Sequence, residues 1–403
     1  MKKKKRKRWI HSSLKFLLMK ICYPFFYRCC SWKTVDKNKV IFVEGRLPKI
    51  SNSFELLYNL LKKEYTYQIK EHFLLGLDKK RRNRVMRNFF LLKDMADAKY
   101  IFINDSIPVL NTISLRNETK LIQVWHGCGA FKKFGYSTAD LLFGDSKIEL
   151  EKYPIHQNYS LVTVSSPEVV SAFAEAMGLE KQKEIIQPIG VSRSDIYFRS
   201  KFYKKAKEKL ENLMPSAKNK KILLYAPTYR GSVAEAKTPD VLDITLFSKE
   251  LGQEYVLLLK HHPLVKKLPI IDQEKRAFCM DMTSKMSIEE LLCVSDICIS
   301  DYSSLVFEYS LLEKPIIFFA YDIEEYFDWR GFYFCYEELA PGPICKTNQE
   351  LLEQIKQMKQ IEPIIINKIQ AYKSRFMSSC DGHATERILE KVFGRKELDL
   401  HKR

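Results

Sequence analysis

The sequence predicts an α/β protein with two doubly wound domains, each a parallel sheet covered by helices. Short runs that are apolar on both faces alternate with segments whose apolar residues recur at helical spacing. This pattern is followed by a charged helical stretch and by Met214-Pro215-Ser216, which is typical of a linker. The same pattern begins again at Lys221. The chain has 403 residues, which is enough for two domains of ordinary size.

These signals divide the chain into five parts. We expect a basic, aromatic segment at 1–35, a first domain at 36–205, a linker at 206–220, a second domain at 221–395 and a tail at 396–403. In the first domain, strands are predicted at 40–43, 73–75, 100–103, 121–125 and 162–165, and helices at 53–62 and 167–177.

The first residues carry much of the positive charge. The run Met1–Arg8 is basic, and an apolar and aromatic tract at 14–27 is interrupted by Lys15, Lys20 and Pro24. This tract is too short and too charged to span a bilayer, and no small-residue cleavage site follows it. Each Lys or Arg near an anionic leaflet contributes about 1 kcal/mol to the free energy of membrane binding. We therefore expect a membrane-surface segment, with a disordered basic tail as the alternative.

The net charge of +18 indicates an anionic partner. A nucleic acid is not expected, because the sequence has no zinc-ligand spacing, recognition-helix pattern or aromatic RNA-binding motif. The ten cysteines show no CxxC pair and are typical of free thiols in the cytoplasm.

Residues 287–322 organise the second domain, because they form a complete helix, strand, turn, helix and strand unit. The turn Asp301-Tyr302-Ser303-Ser304 lies at the carboxyl end of its strand, where ligands bind in open α/β sheets. The hydroxyls of Ser303 and Ser304 and the following helix N-terminus favour a phosphate. A purely structural N-cap at Asp301 or Ser303 is the alternative.

Two further strand ends carry hydrogen-bond donors or cations. Strands are predicted at 222–225, 255–259 and 297–300, and the turns after them bear Thr228 and Arg230, Lys260 and His262, and Ser303 and Ser304, respectively. Their convergence on one edge of one sheet predicts a phosphate or diphosphate site.

His126 follows a predicted strand of the first domain, in Trp125-His126-Gly127. Glycines and lysines come directly after it, so the pattern is compatible with a general base beside an anionic substrate. A packed or solvated histidine is the alternative.

Several of these motifs, taken together, resemble the CDP-glycerol glycerophosphotransferase family, the teichoic-acid primases and polymerases of Gram-positive bacteria and their ribitol-phosphate relatives. The motifs that carry this resemblance are Trp125-His126-Gly127, Ala226-Pro227-Thr228-Tyr229-Arg230, Lys260-x-His262-Pro263, Ser300-Asp301-Tyr302-Ser303-Ser304, Phe307-Glu308, Lys314-Pro315-Ile316, Tyr321-Asp322, Arg330-Gly331-Phe332-Tyr333, Pro341-Gly342-Pro343 and Asp381-Gly382-His383-Ala384-Thr385-Glu386-Arg387.

The resemblance implies a GT-B architecture, with two Rossmann-like domains facing across a cleft, an acceptor domain first and a CDP-donor-binding domain second. It implies a peripheral enzyme at the cytoplasmic face of the membrane. Such an enzyme transfers glycerol phosphate from CDP-glycerol, or ribitol phosphate from CDP-ribitol, and releases CMP. The acceptor would be a lipid-linked glycan or polyol phosphate. Cys128-Gly129-Ala130-Phe131 departs from many glycerol-type members and is compatible with ribitol-type ones. No cofactor and no obligatory metal are expected, and a homo-oligomer is left open.

The resemblance also suggests roles for the candidate residues. His126 would take the proton of the acceptor hydroxyl, while His262, Lys260 and Arg230 would stabilise the diphosphate and the leaving CMP. Ser303 and Ser304 would hold the phosphates alongside Thr228, and Glu308 would reach the ribose.

Two other classes of function are compatible with the sequence. A GT-B glycosyltransferase using a sugar nucleotide in capsule or cell-wall polysaccharide synthesis would transfer sugar instead of phosphate. A non-catalytic basic adaptor would bind membranes or nucleic acid and release no CMP.

Overall fold

The computed structural model describes residues 12–75, 81–141, 144–231 and 235–394, and gives only the backbone of residues 81, 82 and 327–330. The described chain forms two compact units. The first contains the residues up to Gly127, Phe134–Arg193 and those from His383 onward. The second contains Cys128–Lys133 and Ser194–Gly382.

The first unit is built on a six-stranded parallel sheet in the order β2-β1-β3-β4-β5-β6. Its strands are β1 (Asp36–Glu44), β2 (Gln68–Phe73), β3 (Ala98–Ile103), β4 (Lys120–Gln123), β5 (Leu161–Thr163) and β6 (Ile186–Gln187). Its helices are α1 (Tyr23–Cys30), α2 (Asn52–Glu64), α3 (Arg81–Met95), α4 (Lys147–Lys152), α5 (Val170–Met177) and α14 (Ala384–Phe393). The strand order reverses between β1 and β3.

The second unit repeats this architecture, with strand order β12-β11-β10-β7-β8-β9, again all parallel. Its strands are β7 (Lys221–Tyr225), β8 (Tyr255–Leu259), β9 (Cys279–Asp281), β10 (Ile297–Ser300), β11 (Ile316–Phe319) and β12 (Ile344–Cys345). Its helices are α6 (Ser200–Leu213), α7 (Ile244–Leu251), α8 (Ile288–Val294), α9 (Leu305–Ser310), α10 (Ile323–Arg330), α11 (Tyr336–Leu339), α12 (Asn348–Lys356) and α13 (Met358–Phe376). The strand order reverses between β7 and β10.

The expected fold class, two doubly wound α/β units in one chain, is confirmed by these two sheets. The central strands are buried on both faces, as their apolar sequences predict: Leu223, Leu257 and Ile299 are all fully buried. The strand predicted at 73–75 is displaced, because β2 ends at Phe73. It is an edge strand whose residues are only half-buried or exposed, so apolarity does not mark it.

The last described helix completes the core of the first unit. Ile388, Leu389 and Val392 of α14 are buried in one cluster with Val40 and Phe42 of β1. The unit boundary therefore differs from the expected second domain at 221–395. The expected linker at 206–220 also differs, since α6 belongs to the second unit.

The N-terminal segment is helical over residues 12–30 and includes a π-helical stretch, Leu17–Cys22. Tyr23 and Tyr27 of α1 are buried, whereas Phe25 is 70% exposed. The basic run Met1–Arg8 and the expected tail at 396–403 lie outside the described residues. Within the described chain, every helix is too short or too polar to cross a bilayer.

Candidate active site

His126 lies in the first unit, three residues beyond the end of β4 at the carboxyl edge of the sheet. Its Nδ1 is 3.0 Å from the main-chain oxygen of Asn104, which follows β3. A carbonyl oxygen can only accept a hydrogen bond, so Nδ1 carries the proton and Nε2 is the basic nitrogen. The side chain is 39% exposed. The structure therefore presents an accessible imidazole in a defined tautomer.

The charges around His126 favour its neutral form. Burial lowers the pKa of His126, and the negative charge of Asp105, whose Oδ1 lies 4.0 Å from Nδ1, offsets this only in part. Arg46 and Arg193 lower the pKa further through their positive charges. A neutral ring at pH 7 is the form that can take a proton.

The backbone before His126 is held in an unusual conformation. Trp125 has a φ of 55°, in the left-handed region that bulky residues rarely adopt. Its N–H donates to Oε1 of the fully buried Gln123 at 2.9 Å, and Nε2 of Gln123 donates to the main-chain oxygen of Asp105 at 3.1 Å. Gln123 therefore ties the end of β4 to the turn after β3, and Arg193 donates to the main-chain oxygen of His126.

In the second unit, the three predicted turns follow adjacent strands, because β10, β7 and β8 are neighbours in the sheet. The turns after β7 and β10 flank the position where the strand order reverses, the usual ligand site of such sheets. The two turns are joined by Asp301, whose Oδ1 accepts the N–H groups of Thr228 at 2.8 Å and Tyr302 at 2.6 Å. Asp301 thus links two strand ends and does not cap α9.

Arg230 is held by carboxylates. Its Nε and Nη2 donate to Asp322 at 2.6 and 2.9 Å, and its Nη1 lies 3.0 Å from Oδ2 of Asp301. Burial opposes the positive charge, but the hydrogen bonds that Arg230 donates to Asp322 and the negative charge of Asp301 outweigh it and raise the pKa of Arg230. The guanidinium lies 5.2 Å from the ring centre of Tyr302 and 5.3 Å from that of Tyr326. Arg230 therefore ties together the turns after β7, β10 and β11.

Lys260, His261 and His262 follow β8 and differ in their surroundings. Lys260 Nζ donates to the main-chain oxygens of Thr283 at 2.8 Å and Met286 at 2.6 Å, and burial lowers its pKa. His262 is exposed, with its ring 4.8 Å from that of Tyr229. His261 is buried, and its Nε2 has no hydrogen-bond partner among the described residues.

Ser303 and Ser304 are half-buried and directly precede α9. The helix is short, and its first and last turns are closed by i to i+3 hydrogen bonds, including Phe307 N–H to Ser304 O at 3.1 Å. Glu308 is buried within this helix. The hydroxyl of Thr228 is buried and has no hydrogen-bond partner in the described chain, which marks it as a group that a ligand can satisfy.

No role was assigned from the sequence to Asn104, Gln123 or His261, and Asp322 was named only as part of the Tyr321-Asp322 motif. Asn104 and Asp322 each follow a strand, and that position was the signal available for them. Gln123 and His261 gave no signal, because their importance depends on side-chain partners in other turns. Among the described residues, no group of three or more His, Cys, Asp or Glu side chains is arranged to hold a metal ion.

Comparison with known proteins gives the family. The profile described as CDP-Glycerol:Poly(glycerophosphate) glycerophosphotransferase matches residues 25–394. The chain is 34% identical to the teichoic acid ribitol-phosphate primase of Bacillus spizizenii, covering 88% of this chain and 91% of that protein. It is 35% identical to the teichoic acid poly(ribitol-phosphate) polymerase of the same organism, covering 92% of this chain but only 58% of the polymerase.

A solved structure of the wall teichoic acid polymerase TagF has the same fold, with a TM-score of 0.75 and 23% identity over 97% of each chain. A UDP-GlcNAc 2-epimerase from Neisseria meningitidis is more distant, with a TM-score of 0.52 and 12% identity over 89% of this chain and all of that one. The chain therefore belongs to the CDP-Glycerol:Poly(glycerophosphate) glycerophosphotransferase family, which confirms both the family and the enzyme class, a CDP-polyol phosphotransferase, predicted from its motifs.

Proposed function

We propose that this chain transfers ribitol phosphate from CDP-ribitol to a hydroxyl group of a lipid-linked acceptor at the cytoplasmic face of the membrane. The observation that carries the choice of ribitol is the 34% identity to a ribitol-phosphate primase over nearly the whole of both chains. Identity to the glycerol-phosphate primase of Bacillus subtilis is 30% over 73% of each protein. The residues Cys128–Phe131 after the His-Gly motif support the same choice.

In this proposal, the acceptor oxygen attacks the phosphorus that carries the polyol. A new P–O bond forms as the P–O bond to the bridging oxygen breaks, and CMP leaves with that oxygen. His126 takes the acceptor proton at Nε2, which is basic because Nδ1 donates to Asn104. A positioned general base contributes about 100-fold to 10,000-fold in rate.

The turns of the second unit are the proposed donor site. Support comes from the place where the strand order reverses, from the unpartnered hydroxyl of Thr228, and from the serines before α9. Because Arg230 and Lys260 are engaged by protein oxygens, we assign the direct contact with the diphosphate to His262, Thr228 and the turn Ser303–Ser304, with Arg230 and Lys260 contributing charge.

A CMP-release assay with a lipid-linked acceptor tests the donor. We expect a higher kcat/KM with CDP-ribitol than with CDP-glycerol. With labelled UDP-sugars, we expect no label to enter the lipid product. Activity with CDP-glycerol alone would overturn the choice of ribitol but keep the reaction class. Sugar transfer would support the glycosyltransferase alternative.

The general-base role is tested with His126→Gln, which keeps polarity but accepts no proton at neutral pH. We expect turnover to fall at least 100-fold while CDP-polyol affinity and melting temperature stay unchanged. In the wild type, kcat/KM should fall on the acid side only below about pH 6.5, because burial lowers the pKa of His126 from that value. Turnover near the wild-type level in the variant would show that another group takes the proton.

A further inference from the structure

A groove with a volume of about 450 Å³ lies within the first unit, between the N-terminal helix, the end of β2, α3 and the segment after β3. This volume falls in the range of ligand pockets, about 300–1,000 Å³. Most of the lining side chains are apolar: Leu18, Met19, Leu74, Val85, Ile107 and Val109. A pocket with this lining favours a hydrocarbon ligand, since polar groups lose their water when they enter it.

The walls of this groove are fixed by specific contacts. The buried Tyr23 accepts a hydrogen bond from Nδ2 of Asn88 at 3.1 Å, and its ring packs edge-on against Phe89 at 5.1 Å. These contacts hold the N-terminal helix against α3. Leu18 and Met19 lie in the π-helical stretch Leu17–Cys22, a rare conformation that is frequent at functional sites.

The charged groups that line the groove are both cationic. Lys15 and Arg84 line it, and none of the described lining residues is acidic. Lys15 also pairs with Glu149 at 2.6 Å, whereas Arg84 is exposed to solvent. An apolar groove beside an arginine and a lysine suits a ligand that has a hydrocarbon chain and a phosphate group.

The groove lies near the candidate base. Ile107 is three residues after Asn104, whose main-chain oxygen orients His126. Three residues span at most about 11 Å, so the groove and the base share one edge of the sheet. A chain held in the groove would carry its phosphate end along that edge.

We propose that this groove binds the hydrocarbon chain of the lipid-linked acceptor next to its phosphate, so that the acceptor is recognised through its lipid as well as its head group. This inference rests on the proposed function for the identity of the ligand. It assigns Val85 and Leu18 to chain binding and Arg84 to the lipid phosphate.

Val85→Trp, which fills the groove, tests the proposal. Phe90→Trp is the matched control, because Phe90 lies on the same helix, is 57% exposed and does not line the groove. Acceptors with the same head group and either a long isoprenyl chain or a short alkyl chain are compared in detergent micelles, so that binding to a bilayer plays no part. Vesicle binding is measured separately.

Each methylene group buried is worth roughly fourfold in affinity. We therefore expect Val85→Trp to raise the KM for the long-chain acceptor about tenfold or more and to leave the KM for the short-chain acceptor unchanged. Phe90→Trp should alter neither KM. Equal effects on the two acceptors, or none, would overturn the proposal. If Val85→Trp lowers the melting temperature, Leu18→Trp replaces it.

Direct binding of a fluorescent long-chain isoprenyl phosphate separates the two proposals. If the wild type releases no CMP with any acceptor, the proposed function fails, but the groove is still decided by this measurement. Weaker binding by Val85→Trp than by Phe90→Trp supports the groove, and equal binding by both variants overturns it.

Discussion

Arg230 was predicted to contact the donor, and the ion pairs of Arg230 allow that role to be tested against a structural one. Its side chain is 20% exposed, that of Asp322 is 16% exposed, and that of Asp301 is 2% exposed. Removing one partner of a buried ion pair costs about 3–5 kcal/mol, because the other charge is left buried and unpaired. The residual exposure of Arg230 and Asp322 places Asp322→Asn near the lower value.

Arg230→Met should be more destabilising than Asp322→Asn, because it leaves both Asp301 and Asp322 without their cation. In a domain of 150–250 residues, 1 kcal/mol shifts the melting temperature by about 2–4 °C. A loss of about 3 kcal/mol therefore corresponds to roughly 6–12 °C for Asp322→Asn, and Arg230→Met should exceed it. The double variant should lose less than the sum of the two, because contacting residues couple by about 0.5–3 kcal/mol.

Thermal unfolding of the three variants, followed in parallel with the KM for CDP-polyol, is the assay. The structural reasoning is refuted if Arg230→Met melts within 1–2 °C of the wild type, roughly the shift from an ordinary surface substitution, while its KM for the donor rises. That result would restore the direct donor contact predicted from the sequence. Additive losses in the double variant would show that Arg230 and Asp322 do not stabilise each other.

Three further predictions concern histidines and the turn before His126. Burial lowers the pKa of His156 to about 4, against about 6.5 when unfolded, so the unfolded state binds the proton first as the pH falls. The free energy of unfolding should then drop by about 3 kcal/mol from pH 6.5 to 4; denaturant unfolding of His156→Gln should lack this slope. Gln123→Leu removes the acceptor for the Trp125 N–H and should lower kcat about 100-fold by displacing His126, while the KM for the donor stays unchanged. A kcat near the wild-type value would contradict this. His262→Ala should lose more turnover than donor affinity, because charge grows on the leaving group, and full turnover at saturating donor would remove His262 from the site.

The strands and their order of appearance were predictable because buried parallel strands have a simple apolar signature. The runs at Ile222–Tyr225 and Ile316–Phe319 show it clearly, and both are strands. The short strands β6, β9 and β12 were not predicted, since two or three residues give too little pattern. Edge strand β2 escaped because its side chains are not buried.

The candidate site was predictable by position but not by side-chain direction. Strand ends locate the turns, yet the sequence does not show that Arg230 is engaged by Asp322, which is 92 residues away. It also does not show which of the neighbours His261 and His262 is buried. These outcomes depend on contacts between separate turns, which local spacing does not encode.

The packing of α14 has a consequence for synthesis on the ribosome. The core around β1 lacks Ile388, Leu389 and Val392 until residues 384–393 have been made, about 190 residues after the rest of the first unit. At roughly 5–20 residues per second, this delay lasts about 10–40 seconds. The first unit to be translated is thus the last to be completed, and its sheet exposes an apolar face throughout that interval, when chaperone binding is most needed.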